Sequence, residues 1–202
     1  GWAEIIKNVI TLRKPIISAA NEWDAINKLR EVGIDTMTAV GFGERGANPA
    51  RTESFILTED LVDTVSLEHY CQNWAKEPPS FPFKIKLIKK LANISRQLHQ
   101  AGVCHRDYYL CHFHLDTKAV NSMNVYLIDL HRALIKGKLS RRWIIKDIGG
   151  LYFSIMHLGL TQRDLYRFMK TYSDRSLRDC LSDQRPFWQA VKHKAYRLYG
   201  AP

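Results

Sequence analysis

Apolar residues recur at steps of three and four in the middle of the chain, which is the spacing of a helix with one buried face. The run consists of Ile88, Leu91, Ala92, Ile94, Ser95 and Leu98. It predicts a helix over residues 83–101, and Gly102 stands where a helix C-terminus favours glycine. The β-branched and apolar residues 125–128 predict a strand that is packed on both faces.

The rest of the pattern places strands before helices. A helix is expected at residues 21–32, capped by Asn21 and ended by Gly33. Residues 2–12 are expected to form a short helix or strand, and two strands are expected at residues 36–42 and 54–58. Further helices are expected at residues 67–74, 146–158, 161–172 and 186–199. This order predicts an α+β fold.

Two acids stand at the ends of predicted elements. His105-Arg106-Asp107 follows the long helix, and Asp129 follows the apolar strand 22 residues further on. Helix, loop with an H-R-D, strand and acid form the order of the catalytic half of a kinase-like phosphotransferase. One carboxylate would orient or deprotonate the acceptor hydroxyl, and the other would hold Mg²⁺ on the nucleotide phosphates. A bare H-R-D can also be a helix cap or a surface turn.

The chain resembles the lipopolysaccharide core heptose (I) kinase family, a bacterial branch of the protein-kinase-like fold. The segments that carry the resemblance are Asn21-Glu22-Trp23, Gly41-Phe42-Gly43-Glu44-Arg45-Gly46, residues 54–61, residues 105–113, residues 128–133, residues 141–143 and residues 146–154. They span nearly the whole chain. The resemblance implies an α+β protein-kinase-like two-lobe fold, with residues 1–61 as a partial amino-terminal lobe and residues 62–202 as a mostly helical carboxy-terminal lobe.

The resemblance also implies a role for individual residues. Asp107 matches the catalytic aspartate and Asp129 the magnesium aspartate. Glu22 matches the glutamate that pairs with the nucleotide-binding lysine, and Asp147 matches the buried helix acid that braces the catalytic loop. The residues that fall where the hinge meets adenine are Glu59, Asp60 and Leu61.

The chain departs from the kinase pattern in two places. His112 stands where most kinases have the asparagine that binds a second metal, and imidazole is a softer ligand than Mg²⁺ prefers. No Gly-rich loop and no lysine strand precede the Glu22 helix, so the first strands of the amino-terminal lobe are expected to be missing. Residues 41–46 are expected to be a turn between strands, and Lys7 and Lys14 are not assigned the lysine's role.

Residues 131–146 contain six basic residues and no acid: Arg132, Lys136, Lys138, Arg141, Arg142 and Lys146. Such a segment suits a small anionic acceptor, and we expect Arg132, Arg141 and Arg142 to bind it. A solvated loop on a basic protein is the alternative. Nothing in the pattern decides between the two.

Composition agrees with a globular protein that has an anionic partner. The chain has 202 residues, is 46% hydrophobic and carries a formal net charge of +10. The partners expected are the anionic lipopolysaccharide core, an acidic protein and the inner-membrane surface, and no nucleic acid. No run approaches a transmembrane length, and the four cysteines are expected to be reduced thiols, with a zinc site as the less favoured interpretation.

These observations favour an ATP- and Mg²⁺-dependent sugar kinase. From the resemblance, the acceptor is a heptose of the lipopolysaccharide inner core. The location is then cytoplasmic, peripheral at the inner membrane of a Gram-negative bacterium. Two alternatives stay open: a kinase for another core sugar such as Kdo or for a protein hydroxyl, and a non-catalytic kinase-like binding module.

Overall fold

The computed structural model describes residues 18–46, 48 and 51–200. A helix and a β-hairpin come first, short strands follow, and helices form most of the remainder. The predicted α+β class is confirmed. The element expected at residues 2–12, with Lys7 and Lys14, lies outside the described residues.

Helix α1 (Ala20–Glu31) buries the residues Ala25, Ile26 and Leu29. Gly33 ends the helix with φ +74°, a left-handed conformation that costs glycine little. The prediction that Asn21 caps this helix is wrong. Ala19 is the N-cap residue and makes no side-chain cap, while the Asn21 amide donates to backbone carbonyls more than 100 residues away.

Strands β1 (Ala39–Arg45) and β2 (Glu53–Thr58) form an antiparallel hairpin. The prediction that residues 41–46 form a turn is therefore wrong for most of their length, because they pair with β2. Gly43 lies opposite Phe55, and a Cβ at this glycine would come within 2.5 Å of the Phe55 ring. The glycine thus makes room for an aromatic ring on the neighbouring strand.

The strands that follow are β3 (Thr64–Ser66), β4 (Val103–Cys104), β5 (Phe113–Asp116), β6 (Val125–Leu127) and β7 (Leu134–Ile135). Antiparallel pairing joins β3, β5 and β6 in that order, and β4 pairs with β7. Gly102, with φ +76°, ends the long helix as predicted, and a side chain there would collide with the Lys136 carbonyl. The two pairings bring the H-R-D loop next to the segment after Asp129.

The later helices of the described chain are α2 (Leu67–Cys71), α3 (Phe81–Gln100), α4 (Arg141–Ile155), α5 (Gln162–Ser173), α6 (Leu177–Leu181) and α7 (Arg185–Tyr199). Helices α3, α5 and α7 match their predictions closely. Helix α4 begins earlier than predicted, at Arg141, and α2 is shorter. Helix α6 was not predicted, although Ser176 and Asp179 form a capping box at its start.

The core lies between α1, α3, the β3–β5–β6 sheet and the second half of α4. Its largest fully buried side chains include Tyr108, Phe113, Leu98, Leu115 and Leu127. Residues of the H-R-D loop and of both flanking strands therefore belong to the same packed core. None of the described helices is both long enough and apolar enough to cross a membrane.

Candidate active site

Asp147 of α4 holds the backbone of the H-R-D loop. Its carboxylate accepts hydrogen bonds from the backbone N–H of His105 at 2.7 Å and of Arg106 at 2.9 Å. Burial alone would raise the pKa of Asp147, but the hydrogen bond and charge of His99 and the loop N–H groups outweigh it, and the pKa is lowered. His99 also contacts the Tyr172 hydroxyl at 2.9 Å. The loop is thus fixed by a buried acid, as the sequence predicts.

Asp107 lies at the end of this braced loop, between two cations. Arg132 Nη1 is 3.0 Å from one carboxylate oxygen and 2.9 Å from the other. Lys146 Nζ lies 3.9 Å from the same carboxylate. Burial lowers the pKa of Lys146, while the carboxylates Asp147 and Asp107 act against that shift. Arg132, expected to bind the acceptor, therefore contacts the predicted catalytic aspartate directly.

Asp129 stands next to Asp107 through His112. Nδ1 of His112 lies 2.7 Å from the Asp107 carbonyl oxygen and must donate to it, because a carbonyl only accepts. In the neutral ring Nε2 then carries a lone pair, and this nitrogen lies 3.1 Å from the Asp129 carboxylate. Two acceptors at that separation favour a proton or a metal cation between them. His131 Nδ1 contacts the other carboxylate oxygen of Asp129.

His105 connects the H-R-D loop to the strand end that precedes Asp129. Its Nε2 lies 2.9 Å from the Ile128 carbonyl, one residue before Asp129, and so donates to it. Its ring stacks on His112 with 5.5 Å between centroids. Burial lowers the pKa of His105, so that its neutral form is favoured. The H-R-D histidine is therefore part of the scaffold between the two acids.

Helix α1 reaches the segment that follows Asp129. The half-buried Glu22 carboxylate accepts a hydrogen bond from the Leu130 backbone. Burial and the Asp129 charge raise the pKa of Glu22, while His131 acts to lower that pKa. The Asn21 amide donates to the carbonyls of residues 131 and 133, both at 2.9 Å. Glu22 is thus not a freely exposed helix acid.

The predicted hinge residues connect two sheets. Glu59, Asp60 and Leu61 lie between β2 and β3, and the Glu59 N–H donates to the Thr38 carbonyl at 2.9 Å. The Leu61 carbonyl accepts from the Thr64 hydroxyl at 3.1 Å. Their backbone is therefore anchored on both sides of the connection.

Arg141 and Arg142 lie in the first turn of α4 and are both exposed. The Arg141 guanidinium lies over the Phe187 ring of α7, 5.6 Å from its centroid. Arg142 lies over Trp143, and it is one helical turn from Lys146, which reaches Asp107. Arg142 thus shares the face of α4 from which Lys146 reaches Asp107, whereas Arg141 is directed to α7.

The described residues contain no group of three His, Cys, Asp or Glu side chains that could enclose a metal ion. Asp129 with His112 nevertheless fits a cation shared with a phosphorylated ligand. Mg²⁺ usually takes one or two carboxylates and completes its shell with phosphate oxygens and water. The pair of acceptors 3.1 Å apart is the observation that supports this fit.

A large apolar cavity, which the sequence analysis did not identify, lies between α3, α4, α5 and α7. Its volume is about 660 Å³. Its apolar lining includes Leu87, Leu91, Leu151, Leu165 and Trp188. The basic residues Arg185 and Lys192 are exposed and also border it. Apolar residues at helical spacing had indicated a filled core, and periodicity alone cannot distinguish a filled core from a lined cavity.

Sequence reasoning also missed contributions to the site from Asn21, His131 and Lys146. Lys146 belongs to the basic run, and its spacing of four residues from Arg142 was the available signal. The His131 side chain contacts Asp129, two residues away, whereas Asn21 acts through contacts more than 100 residues away in the chain. No local pattern predicts such contacts.

Comparison with known proteins gives a consistent picture. The model of the lipopolysaccharide kinase (Kdo/WaaP) family matches residues 1–172. The lipopolysaccharide core heptose(I) kinase WaaP of Escherichia coli K12 is 50% identical over 198 residues, covering 96% of this chain and 75% of that protein. WaaP of Pseudomonas aeruginosa is 45% identical, covering 98% and 75%. A solved structure of WaaP in complex with acyl carrier protein superposes with a TM-score of 0.84 at 44% identity, covering 90% of this chain and 76% of that one.

Proposed function

The chain belongs to the lipopolysaccharide kinase (Kdo/WaaP) family, and on that basis we propose that it transfers phosphate from ATP to a heptose of the lipopolysaccharide inner core. The single observation that carries the proposal is His112, which contacts the Asp107 backbone with one nitrogen and the Asp129 carboxylate with the other. His112 thus links the loop that carries Asp107 to the Asp129 carboxylate, and two acids held close together suit a phosphoryl-transfer site.

Asp107 is the proposed catalytic residue. It would accept a hydrogen bond from the heptose hydroxyl and orient the oxygen toward the γ-phosphorus. A new P–O bond forms there, while the bond to the β,γ-bridging oxygen breaks and leaves its electron pair on ADP. The hydroxyl proton passes to Asp107. The backbone bonds from Asp147 keep Asp107 in place, so that little reorganisation is required.

Asp129 and His112 are the proposed metal ligands. When bound, Mg²⁺ would neutralise charge on the nucleotide phosphates. Asp129 supplies the hard oxygen ligand that Mg²⁺ prefers. His112 supplies a nitrogen, which suits Mn²⁺ or a water-mediated contact better than direct binding of Mg²⁺.

The nucleotide is proposed to lie between two lobes, residues 1–61 and 62–202. Glu59, Asp60 and Leu61 would receive adenine at the hinge, and their anchored backbone supports that role. Glu22 would link helix α1 to the phosphate end. Its hydrogen bond from the Leu130 backbone, next to Asp129, supports this placement.

The acceptor is proposed to bind along the basic segment after Asp129. Of the predicted candidates Arg132, Arg141 and Arg142, Arg142 is the best placed for the acceptor, because it shares its helix face with Lys146, which reaches Asp107. Arg141 instead lies over Phe187 of α7. Guanidinium groups bind phosphates and carboxylates through paired hydrogen bonds. The net charge of +10 also suits an anionic membrane surface, and we place the protein at the cytoplasmic face of the inner membrane, where ATP and the core meet.

Phosphate transfer to purified core acceptors, with mass analysis of the product, tests this function. Wild-type protein should add one phosphate to a heptose. Asp107→Ala should retain folding and ATP binding but lose turnover by roughly 10²-fold or more, as expected for a general base. Transfer only to a Kdo acceptor or to a protein hydroxyl would identify the alternative kinases. Nucleotide binding without any transfer would favour the binding module.

We also propose that the apolar cavity binds the acyl group of acyl carrier protein. A relative that is 44% identical was solved with acyl carrier protein, and the cavity of about 660 Å³ is lined mainly by apolar residues with Arg185 and Lys192 beside them. Acylated carrier protein should bind much more tightly than the unacylated form. Leu165→Trp, which narrows the cavity, should reduce that difference, while Arg175→Ala on the surface serves as the control. Equal binding of the two carrier forms by the wild type would exclude the acyl group as the ligand.

A further inference from the structure

Two neighbouring features of the site have no role in the mechanism above. One is the ion pair of Arg132 with Asp107. The other is the pair of hydrogen bonds from the Asn21 amide to the backbone on either side of Arg132. We propose that Arg132 is a catalytic residue that contacts the transferring phosphoryl group, and that Asn21 of α1 is a positioning residue that holds it there. This inference rests on the proposed phosphoryl transfer but not on the identity of the acceptor.

The first argument is position. Arg132 Nη1 lies 3.0 and 2.9 Å from the two oxygens of Asp107. An acceptor hydroxyl bonded to this carboxylate would lie within about 3 Å of it. The guanidinium and the attacking oxygen would therefore be neighbours on the same carboxylate. Within the described part of the chain, Nη2 and Nε of Arg132 show no other hydrogen bond, so their N–H groups remain available to a ligand.

The second argument is charge. Phosphoryl transfer spreads negative charge over three equatorial oxygens of the moving group, and an arginine is a common means of stabilising it. A guanidinium stays charged throughout and presents its donors in a planar fork that matches phosphate oxygens. Lys146 is the other cation at Asp107, but it lies 3.9 Å away and burial disfavours its charged form. Arg132 is thus the better placed of the two.

The third argument is fixation. The Asn21 amide donates to the carbonyls of His131 and Ala133, both at 2.9 Å, so it grips the backbone on either side of Arg132. The Ala133 N–H donates to the Leu130 carbonyl at 2.9 Å and closes the turn. The side chain of Arg132 is 41% exposed, which leaves its outer nitrogens open to a ligand while the backbone is held. The position of α1 therefore sets the position of the guanidinium.

With Arg132 in this role, the same bonds form and break as in the transfer described above. The acceptor oxygen bonds to the γ-phosphorus, ADP leaves with the electron pair of the broken P–O bond, and the hydroxyl proton moves to Asp107. Arg132 gains and loses no proton. It donates hydrogen bonds to equatorial oxygens, and these bonds are strongest when the charge on the oxygens is greatest.

A transition-state analogue separates this role from a structural ion pair. Binding of ADP with Mg²⁺ and aluminium fluoride is measured for the wild type, Arg132→Ala, Arg132→Lys and the control Lys170→Ala, an exposed residue of α5 outside the basic segment. Arg132→Ala should bind the analogue roughly 10²-fold more weakly while Mg-ADP affinity stays unchanged. The analogue affinity of Arg132→Lys should lie between those of the wild type and Arg132→Ala, and that of Lys170→Ala should match the wild type. Equal analogue affinity in Arg132→Ala would overturn the proposal.

Kinetics give a second, independent test. Arg132→Ala should lower kcat for the heptose acceptor with little change in the acceptor KM, and added guanidinium ion should restore part of kcat. A raised KM with unchanged kcat would make Arg132 an acceptor-binding residue only. Asn21→Ala should lower kcat about 10-fold, and the double variant should be no slower than Arg132→Ala. Additive losses would exclude the positioning role.

The outcomes also separate this inference from the proposed function. If the wild type binds the analogue but transfers nothing to heptose, the acceptor is wrong and Arg132 is still judged by analogue affinity. If the wild type does not bind the analogue at all, both proposals fail.

Discussion

At the scale of single residues, His112 gives the site its unusual character. Its Nδ1 is committed to the Asp107 carbonyl, so the neutral ring offers only Nε2 toward Asp129. An asparagine at this position would offer a carbonyl oxygen, which is a harder ligand. If Asp129 and His112 bind the metal as proposed, the choice of metal would depend on one side chain that also supports the loop carrying Asp107.

We predict that Asp129→Asn weakens Mg-ATP binding far more than binding of metal-free ATP, because the lost charge serves the cation. His112→Asn should keep turnover and shift the preferred ion from Mn²⁺ toward Mg²⁺. Calorimetry and activity in Mg²⁺, Mn²⁺ and chelator measure both effects. Loss of activity of His112→Asn under every divalent ion would show that His112 supports the loop and binds no metal.

At the scale of elements, α4 acts on the loop through Asp147. This carboxylate is fully buried and accepts two backbone N–H groups. We predict that Asp147→Ala lowers the free energy of unfolding by about 2–5 kcal/mol, because each orphaned buried donor costs roughly 1–3 kcal/mol. Urea denaturation measures the change, with the exposed Asp183→Ala as a control. A loss below about 1 kcal/mol would mean that the loop relaxes and finds other partners.

The two arginines at the start of α4 lie on different faces, and their variants should differ. Arg142 is one turn from Lys146, whereas Arg141 lies over Phe187. We predict that Arg142→Ala raises the acceptor KM and reduces its salt dependence. The loss should reach about 1.5–3 kcal/mol if a charged hydrogen bond is removed and much less if the contact is screened. Arg141→Ala should change the acceptor KM little, and an equal effect of both would contradict this assignment of faces.

Sequence patterns within one element predicted that element well, whereas the contacts between elements were not predicted. The spacing of Ile88, Leu91 and Leu98 located α3, and the Thr161 capping box located α5, because both signals are local. Asn21 failed as a predicted cap because its amide is used by a segment 110 residues away. The glycines of β1 suggested a turn, since nothing in their own stretch indicates that Phe55 needs the space.

The same limit applies to the candidate site. Motifs predicted Asp107 and Asp129, and the family resemblance added Glu22; the structure brings all three residues to one region, while their roles stay predictions. The ion pair of Arg132 with Asp107 was not predicted, because the basic run showed where positive charge lies along the chain but not where each side chain points. Only the three-dimensional structure shows which basic side chain lies beside Asp107 and which ones face solvent.

At the scale of the whole molecule, buried ionisable groups set the pH range of stability. The pKa of His105 is lowered by burial, and those of Asp147 and Asp164 are lowered by hydrogen bonds that outweigh burial. In each case the unfolded state binds protons at a higher pH than the folded state, so stability falls as pH falls. Burial raises the pKa of Tyr108 and Tyr172, so stability is lost as pH rises above their ordinary value.

Burial also raises the pKa of the Cys71 and Cys104 thiols, so stability starts to fall as pH rises above their ordinary value. We therefore predict a stability plateau between about pH 6.5 and 8.5. A first decline below about 6.5 comes from His105, and a steeper one below about 4 comes from the two aspartates. Urea midpoints across this range, with chelator present, measure it. A midpoint that stays constant from pH 7 to pH 3 would contradict the prediction. Retention of full stability above about pH 11 would contradict the role of the tyrosines.

Helix α4 also has a consequence for how the cell could use this enzyme. Lys146 and Asp147 touch the loop, and Ile148 and Leu151 line the cavity within the next turn. If a nucleotide binds at the two acids as proposed, that nucleotide and a ligand in the cavity would both act on helix α4. By reciprocity, a cavity ligand that tightens nucleotide binding by some factor is itself held tighter by that factor while nucleotide is bound. Release of the nucleotide would then loosen the cavity ligand, and the lifetime of that complex would depend on how much of the protein carries nucleotide.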